Sequence, residues 1–136
     1  MKKSTSSSTF REEQISLPAP GPGTHREITV LRYGEEDARP KLYLQTALHA
    51  DEIPGMLVLH HLRVLLDKAA QEGRVRGNIT VVPVANPIGM SQRIQGNVSG
   101  RLDLNNGKNY NRNYPDLVPR LIELLTGSLT ADSEQN

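Results

Sequence analysis

The stretch that most restricts this chain runs from residue 41 to residue 82. Lys41 to Leu48 (KLYLQTAL) has the pattern of a strand, with Leu42, Leu44 and Thr46 on one side. Pro54 then opens a helix, because a proline in the first turn gives up an N–H that would have no intrahelical partner. On a helical projection Val58, Leu59, Leu62, Leu65, Leu66 and Ala69 share one face, and Gly73 is placed to stop the helix. Asn78 to Val82 (NITVV) is a short apolar run of the kind found in strands buried on both faces, and Pro83 ends it. Strand, helix, strand in this order predicts a right-handed crossover between two parallel strands. The chain is therefore read as α/β.

Around this unit the pattern is more varied. Residues 1–14 (MKKSTSSSTFREEQ) are poor in apolar side chains and are expected to form a flexible tail, with one domain portion over 15–136. Residues 18–24 (PAPGPGT) are rich in turn formers. Arg26 to Tyr33 (REITVLRY) alternates like a strand, with Ile28 and Val30 on one face. The charged turn Gly34 to Pro40 would let this strand pair antiparallel with the next. Residues 86–116 hold many Asn and Gly and read as a long functional loop. Asp116 is placed to cap a last helix over Leu117 to Thr126, closed by Gly127, and Asp132-Ser133-Glu134 resembles the start of another.

Composition narrows the function classes. The chain has 136 residues with 16 Lys and Arg against 15 Asp and Glu, a net charge of +1. Without a basic block, an electrostatic nucleic-acid binder is not expected. No Cys is present, which removes disulfides, thiolate metal clusters and cysteine nucleophiles. No apolar run reaches membrane-spanning length and the N-terminus lacks a secretory pattern, so a cytoplasmic protein is expected. Neither a G-x-x-x-x-G-K-[ST] loop nor a G-x-G-x-x-G turn is present, which weakens a nucleotide-binding reading.

The sharpest motif is His49-Ala50-Asp51-Glu52, followed by Pro54-Gly55, at the end of the second strand. In open α/β sheets, sites gather at the carboxyl ends of strands. A tight turn aims residues three apart at one point, and imidazole plus carboxylate is an ordinary pair of zinc ligands. Taken alone the match is short, and a surface His beside helix-start acids reads equally simply. Asp51 is a candidate both to orient His49 and to cap the helix. The second cluster is Asn86-Pro87-Ile88-Gly89, Arg93, Gly100-Arg101-Leu102-Asp103 and Asn109-Tyr110-Asn111-Arg112-Asn113-Tyr114-Pro115. Arg grips carboxylates bidentately and stabilises oxyanions, so several such groups after a parallel strand point to an anion site.

In their order, these motifs resemble the amino-terminal part of the zinc carboxypeptidase-type hydrolases, in the succinylglutamate desuccinylase/aspartoacylase branch. The resemblance runs from about Ile15 to about Leu125. It implies a three-layer α/β sandwich around a mixed sheet, of the zinc carboxypeptidase/phosphorylase-hydrolase kind and incomplete at the C-terminus. It also implies a zinc-dependent deacylase that cleaves an amide bond of an N-acyl amino acid or a related carboxylate-bearing small molecule. By the family pattern His49 and Glu52 hold Zn2+, Asn111 and Arg112 grip the substrate carboxylate, and Arg101 polarises the scissile carbonyl, with Arg93 as the fallback. The family takes a third zinc ligand, a His, and a general-base Glu from later in its chain. His25, His60 and His61 are not expected to replace that ligand, so the chain alone is expected to be inactive. The competing reading is a non-catalytic relative that binds a carboxylate ligand or a partner protein. No nucleic-acid or membrane partner is expected, and an exposed sheet edge predicts self-association.

Overall fold

The computed structural model describes residues 10–127. Its elements are β1 (Phe10–Ser16), β2 (Glu27–Tyr33), β3 (Lys41–Gln45), α1 (Ile53–Gln71), β4 (Asn78–Val82), α2 (Pro87–Ser91), β5 (Arg93–Ile94), β6 (Asn97–Val98) and α3 (Val118–Leu125). Four strands form one mixed sheet in the order β1-β2-β4-β3. β1 pairs antiparallel with β2, β2 antiparallel with β4, and β3 parallel with β4. The β3–α1–β4 crossover is the unit expected from sequence, and β4 lies inside the sheet with Val81 and Val82 both buried.

Strand alternation divides the sheet into two faces. Leu31, Tyr33 and Val81 point to the side covered by α1, where they meet Leu59 and Ala70, with Leu44, Leu62, Leu66 and Ile79 at the margin. The stripe of α1 that faces the sheet is rotated from the projected one. Val58 and Leu65 are about two-thirds exposed, and Ala70 takes the buried position. The other sheet face carries Ile28, Val30, Tyr43 and Val82 around an apolar concavity of about 430 Å³. Among the described residues, α1 is the helix that enters the core, so the arrangement seen is a mixed α/β sheet with one helical layer.

Two expectations are corrected here. Residues 10–14 are not a tail: they form most of β1, and residues 1–9 lie outside the described residues. Its charges find cross-strand and helix partners, Glu13 with Arg32 at 2.9 Å and Glu12 with Arg63 at 3.1 Å. Phe10 packs on Tyr33 with ring centroids 5.0 Å apart. β2 and β3 are not paired with each other, because β4 lies between them. The 34–40 turn reaches over the start of β4. The Asn78 N–H donates to Pro40 O at 3.0 Å and its side-chain amide donates to Glu35 O at 3.0 Å. Gly34 makes that approach possible: its φ is +85° and a Cβ there would lie 1.9 Å from Gly77 O.

The long loop is also more ordered than expected. α2 starts on Asn86, whose Oδ1 accepts from the Gly89 N–H at 2.8 Å. β5 and β6 form a hairpin through Gln95 and Gly96, both with positive φ, the pattern of a type I′ turn. The last helix starts one residue later than expected, with Leu117 rather than Asp116 at its N-cap; Asp116 Oδ1 still accepts from the Val118 N–H at 3.0 Å, and Gly127 follows its end with φ +88°. The 132–134 segment lies outside the described residues. Among the described residues no helix is long and apolar enough to cross a membrane.

Candidate active site

The site forms where β3 and β4 end side by side. Thr46 and Ala85 lie just past these strands and are tied by the Ala85 N–H to Thr46 O bond at 2.9 Å. The buried Asn86 side chain donates to Leu48 O at 2.9 Å, so the loop after β4 is anchored on the turn that carries His49. From the other direction Gly100 presses against that turn, and its carbonyl accepts from the Ala50 N–H at 3.0 Å. These contacts bring residue 101 to residues 49 and 52.

His49 is buried and both of its ring nitrogens are engaged. Nε2 faces Asn109 Oδ1 at 2.8 Å. The same oxygen accepts from the Asn111 N–H at 2.8 Å, so it is the acceptor and Nε2 carries the proton. Nδ1 then carries a lone pair and no proton. It lies 3.3 Å from Glu52 Oε1 and accepts from Arg101 Nη1 at 2.9 Å. Arg101 Nη2 also donates to Glu52 Oε1. The Arg101 hydrogen bond holds the Glu52 carboxyl below its ordinary range. Because Glu52 and Arg101 are both about half exposed, water screens the pair.

The two donor atoms fit a metal ion. A tetrahedral zinc with bonds of about 2.0–2.1 Å holds neighbouring ligand atoms about 3.3 Å apart. The His49–Glu52 spacing matches this value. The orienting hydrogen bond on Nε2 is also the one that metal-bound histidines use. The set is nevertheless short: among the described residues no three His, Cys, Asp or Glu side chains converge. His60 and His61 stack edge to face on the exposed side of α1, and His25 is exposed before β2. In place of a third ligand, the guanidinium bridges the two donors.

The structure thus brings His49, Glu52 and Arg101 together. Arg93 is exposed in the β5–β6 hairpin, bonded to the Met90 and Gln92 carbonyls, and has no part in this cluster. Asn111 reaches it through Asn109, while its own Oδ1 accepts from the Tyr114 hydroxyl at 2.7 Å. Arg112 is exposed and donates to Asn111 O. Asp51 does not orient His49, because Asn109 takes Nε2; nor does α1 have a side-chain cap. The sequence does not mark Asn109 as a partner of His49; its one local signal is its place two residues before the Asn111-Arg112 pair. A charged concavity of about 490 Å³ lined by Arg11, Glu13, Arg32, Glu36 and Lys41 involves none of these residues.

Comparison with known proteins gives this geometry a context. The succinylglutamate desuccinylase/aspartoacylase catalytic domain matches residues 38–120, more than half of the chain. A Shewanella frigidimarina NCIMB 400 protein described as a succinylglutamate desuccinylase/aspartoacylase superposes with a TM-score of 0.71 at 29% identity. That match covers 93% of this chain and 33% of the other. A protein of the same description from Shewanella amazonensis SB2B gives 0.69 at 25% identity, over 88% of this chain and 32% of the other. The chain spans about a third of the length of these solved relatives. Comparison with curated proteins gives no match. With the matched segment holding His49, Glu52, Arg101, Asn111 and Arg112, this chain belongs to the succinylglutamate desuccinylase/aspartoacylase family.

Proposed function

We propose that this chain supplies the amino-terminal part of a zinc-dependent deacylase site. Its substrate would be an N-acyl amino acid or a related small molecule with a free carboxylate. The observation that supports this most is the convergence of the His49 Nδ1 lone pair, the Glu52 carboxylate and the Arg101 guanidinium at the carboxyl end of β3. His49 and Glu52 would hold the metal, which when bound lowers the pKa of a water and polarises a carbonyl. Asn109 keeps His49 in the tautomer that offers Nδ1. Glu52 stays ionised because the Arg101 guanidinium favours its charged form. Arg101 has the charge to stabilise the oxyanion that forms when water adds to an amide carbonyl. Arg112, exposed at its guanidinium, and the adjacent Asn111 are suited to grip the substrate carboxylate.

The third zinc ligand and the general base are assigned to no described residue. A catalytic zinc site needs three protein ligands, so two donors alone would bind the ion weakly and hydrolyse little. The second reading, a non-catalytic relative that binds a carboxylate ligand or a partner, rests on the exposed Arg112 beside Asn111, which suits a carboxylate without any metal. A three-layer sandwich would need a further layer on the apolar sheet face around Val30 and Tyr43. Zinc stoichiometry of the chain, with His49→Ala as control, together with hydrolysis of N-acyl amino acids, tests both readings. Zinc that binds at His49, even weakly and without turnover, and is lost in the variant supports the first reading. Carboxylate binding without zinc at His49 supports the second reading and removes the first.

A further inference from the structure

The loop that delivers Arg101 is organised around one side chain. Gln92 follows α2 directly and donates from Nε2 to the carbonyls of Ser99, at 2.7 Å, and Leu102, at 2.8 Å. Its Oε1 accepts from the Leu104 N–H at 2.9 Å and from the Tyr110 hydroxyl at 3.4 Å. Its backbone is tied as well: the N–H donates to Gly89 O and the carbonyl accepts from the Ser99 N–H, both at 3.1 Å. A primary amide has two N–H donors, and here both are spent on the Arg101 loop. The two carbonyls they hold lie on either side of Arg101 in the chain. Between them Gly100 is locked to Ala50, so the Arg101 backbone is restrained from both directions.

This arrangement has a consequence for the donors that Arg101 touches. The unprotonated Nδ1 of His49 has one lone pair, and Arg101 Nη1 uses it. A metal ion takes that lone pair only after the guanidinium has left it. Building on the reading above that Arg101 works at the His49–Glu52 centre, we propose that Gln92 is a positioning residue that holds the Arg101 guanidinium on this pair, where it competes with a divalent cation. Other tethers keep the loop folded without Gln92, among them the Asp103 N–H to Lys108 O bond at 2.9 Å.

The test uses the full chain and Zn2+ alone as the probe. The ¹⁵N shifts of the His49 ring are recorded without zinc, and the zinc dissociation constant is then read from the same signals. Arg101→Ala is expected to shift Nδ1 in the zinc-free protein and to tighten zinc roughly two- to fivefold, the scale of an exposed ion pair. Gln92→Met is expected to move both readouts in the same direction, and the double variant to match Arg101→Ala. A purely structural Gln92 would lower the melting temperature, leave the zinc-free Nδ1 shift at its wild-type value and add independently in the double variant; that result overturns the positioning role. Zinc affinity unchanged, weakened or absent in Arg101→Ala overturns the competition. Zinc failing to reach His49 in every variant also removes the metal from the proposed function, while the zinc-free shifts still decide the role of Gln92. If Gln92→Met does not fold, Gln92→Glu decides by the same signals, since it keeps the acceptor and sets a carboxylate against the two carbonyls.

Discussion

Replacing Gly100 by alanine tests how the Arg101 loop is seated. A Cβ at residue 100 would lie 2.6 Å from the Asp51 nitrogen and 2.7 Å from both the carbonyl carbon and the Cβ of Ala50. Carbon atoms in contact normally stay about 3.5–4.0 Å apart, so the overlap is about 1 Å with three atoms. Two of those atoms are backbone, and Ala50 is fully buried, so no rotamer change relieves the clash. The loop and the turn must separate, at the expense of the Ala50–Gly100 hydrogen bond. Overpacking costs about 1–3 kcal/mol and the lost bond adds about 1 kcal/mol. Gly100→Ala is therefore expected to lose roughly 2–4 kcal/mol in urea denaturation, summing these two effects. The same displacement should pull Arg101 away from His49 Nδ1, which NMR of the His49 ring would report. Gly21→Ala is the control, because no atom lies within 4 Å of its Cβ position and its φ is not left-handed. A Gly100→Ala protein with wild-type stability and an intact Arg101–His49 contact would refute this account of the junction.

Four further outcomes follow from the same structure. Leu59→Ala empties the centre of the α1–sheet core and should cost roughly 2–5 kcal/mol in chemical denaturation; a loss below about 1 kcal/mol would mean that α1 is not seated as described. Asn109→Ala removes the acceptor that fixes the His49 tautomer and should weaken zinc at His49 by roughly 10- to 100-fold, read by titration of the ring signals; unchanged affinity would show that Asn109 does not orient His49. Glu52 should titrate below its ordinary value of 4.5 and return toward it in Arg101→Ala. Because its folded-state pKa is lowered, the stabilisation is present above that value and is lost as pH falls through the depressed pKa; a carboxyl signal at the same pH in both proteins would contradict this. β3 forms a sheet edge with Leu42 and Tyr43 about half exposed, so concentration-dependent self-association is expected in light scattering, and a monodisperse monomer at all concentrations would count against it.

Local pattern carried much of the fold. Pro54 in the first turn of α1, Gly73 at its end and the NITVV run all act within a few residues, and each stands where expected, while the buried face of α1 is turned from the projected one. β1 escaped for the opposite reason. FREEQIS has too few apolar residues to read as a strand alone, and its partners Arg32, Tyr33 and Arg63 lie about twenty to fifty residues away. The pairing of β2 with β3 was misjudged because a short connection suggests a hairpin. The contacts of Asn78 with Glu35 and Pro40 place β4 between them.

The candidate site divides in the same way. His49 and Glu52 are legible from H-x-x-E because three residues of one turn set their separation, and the order of the Asn-Pro, Gly-Arg and Asn-Arg motifs marks the family. The choice between Arg101 and Arg93 is not local. The β5–β6 hairpin leaves Arg93 exposed, and the contact of Gly100 with Ala50 brings Arg101 to His49. Nor is the partner of His49 Nε2, which is Asn109 sixty residues on rather than the adjacent Asp51. By itself the sequence determined the β3–α1–β4 unit and the two donors on one turn, since helix and turn geometry depend on neighbours in the chain. The tertiary structure decided the strand order, the tautomer of His49 and which arginine meets it, because those depend on surfaces that touch only after the chain has folded back on itself.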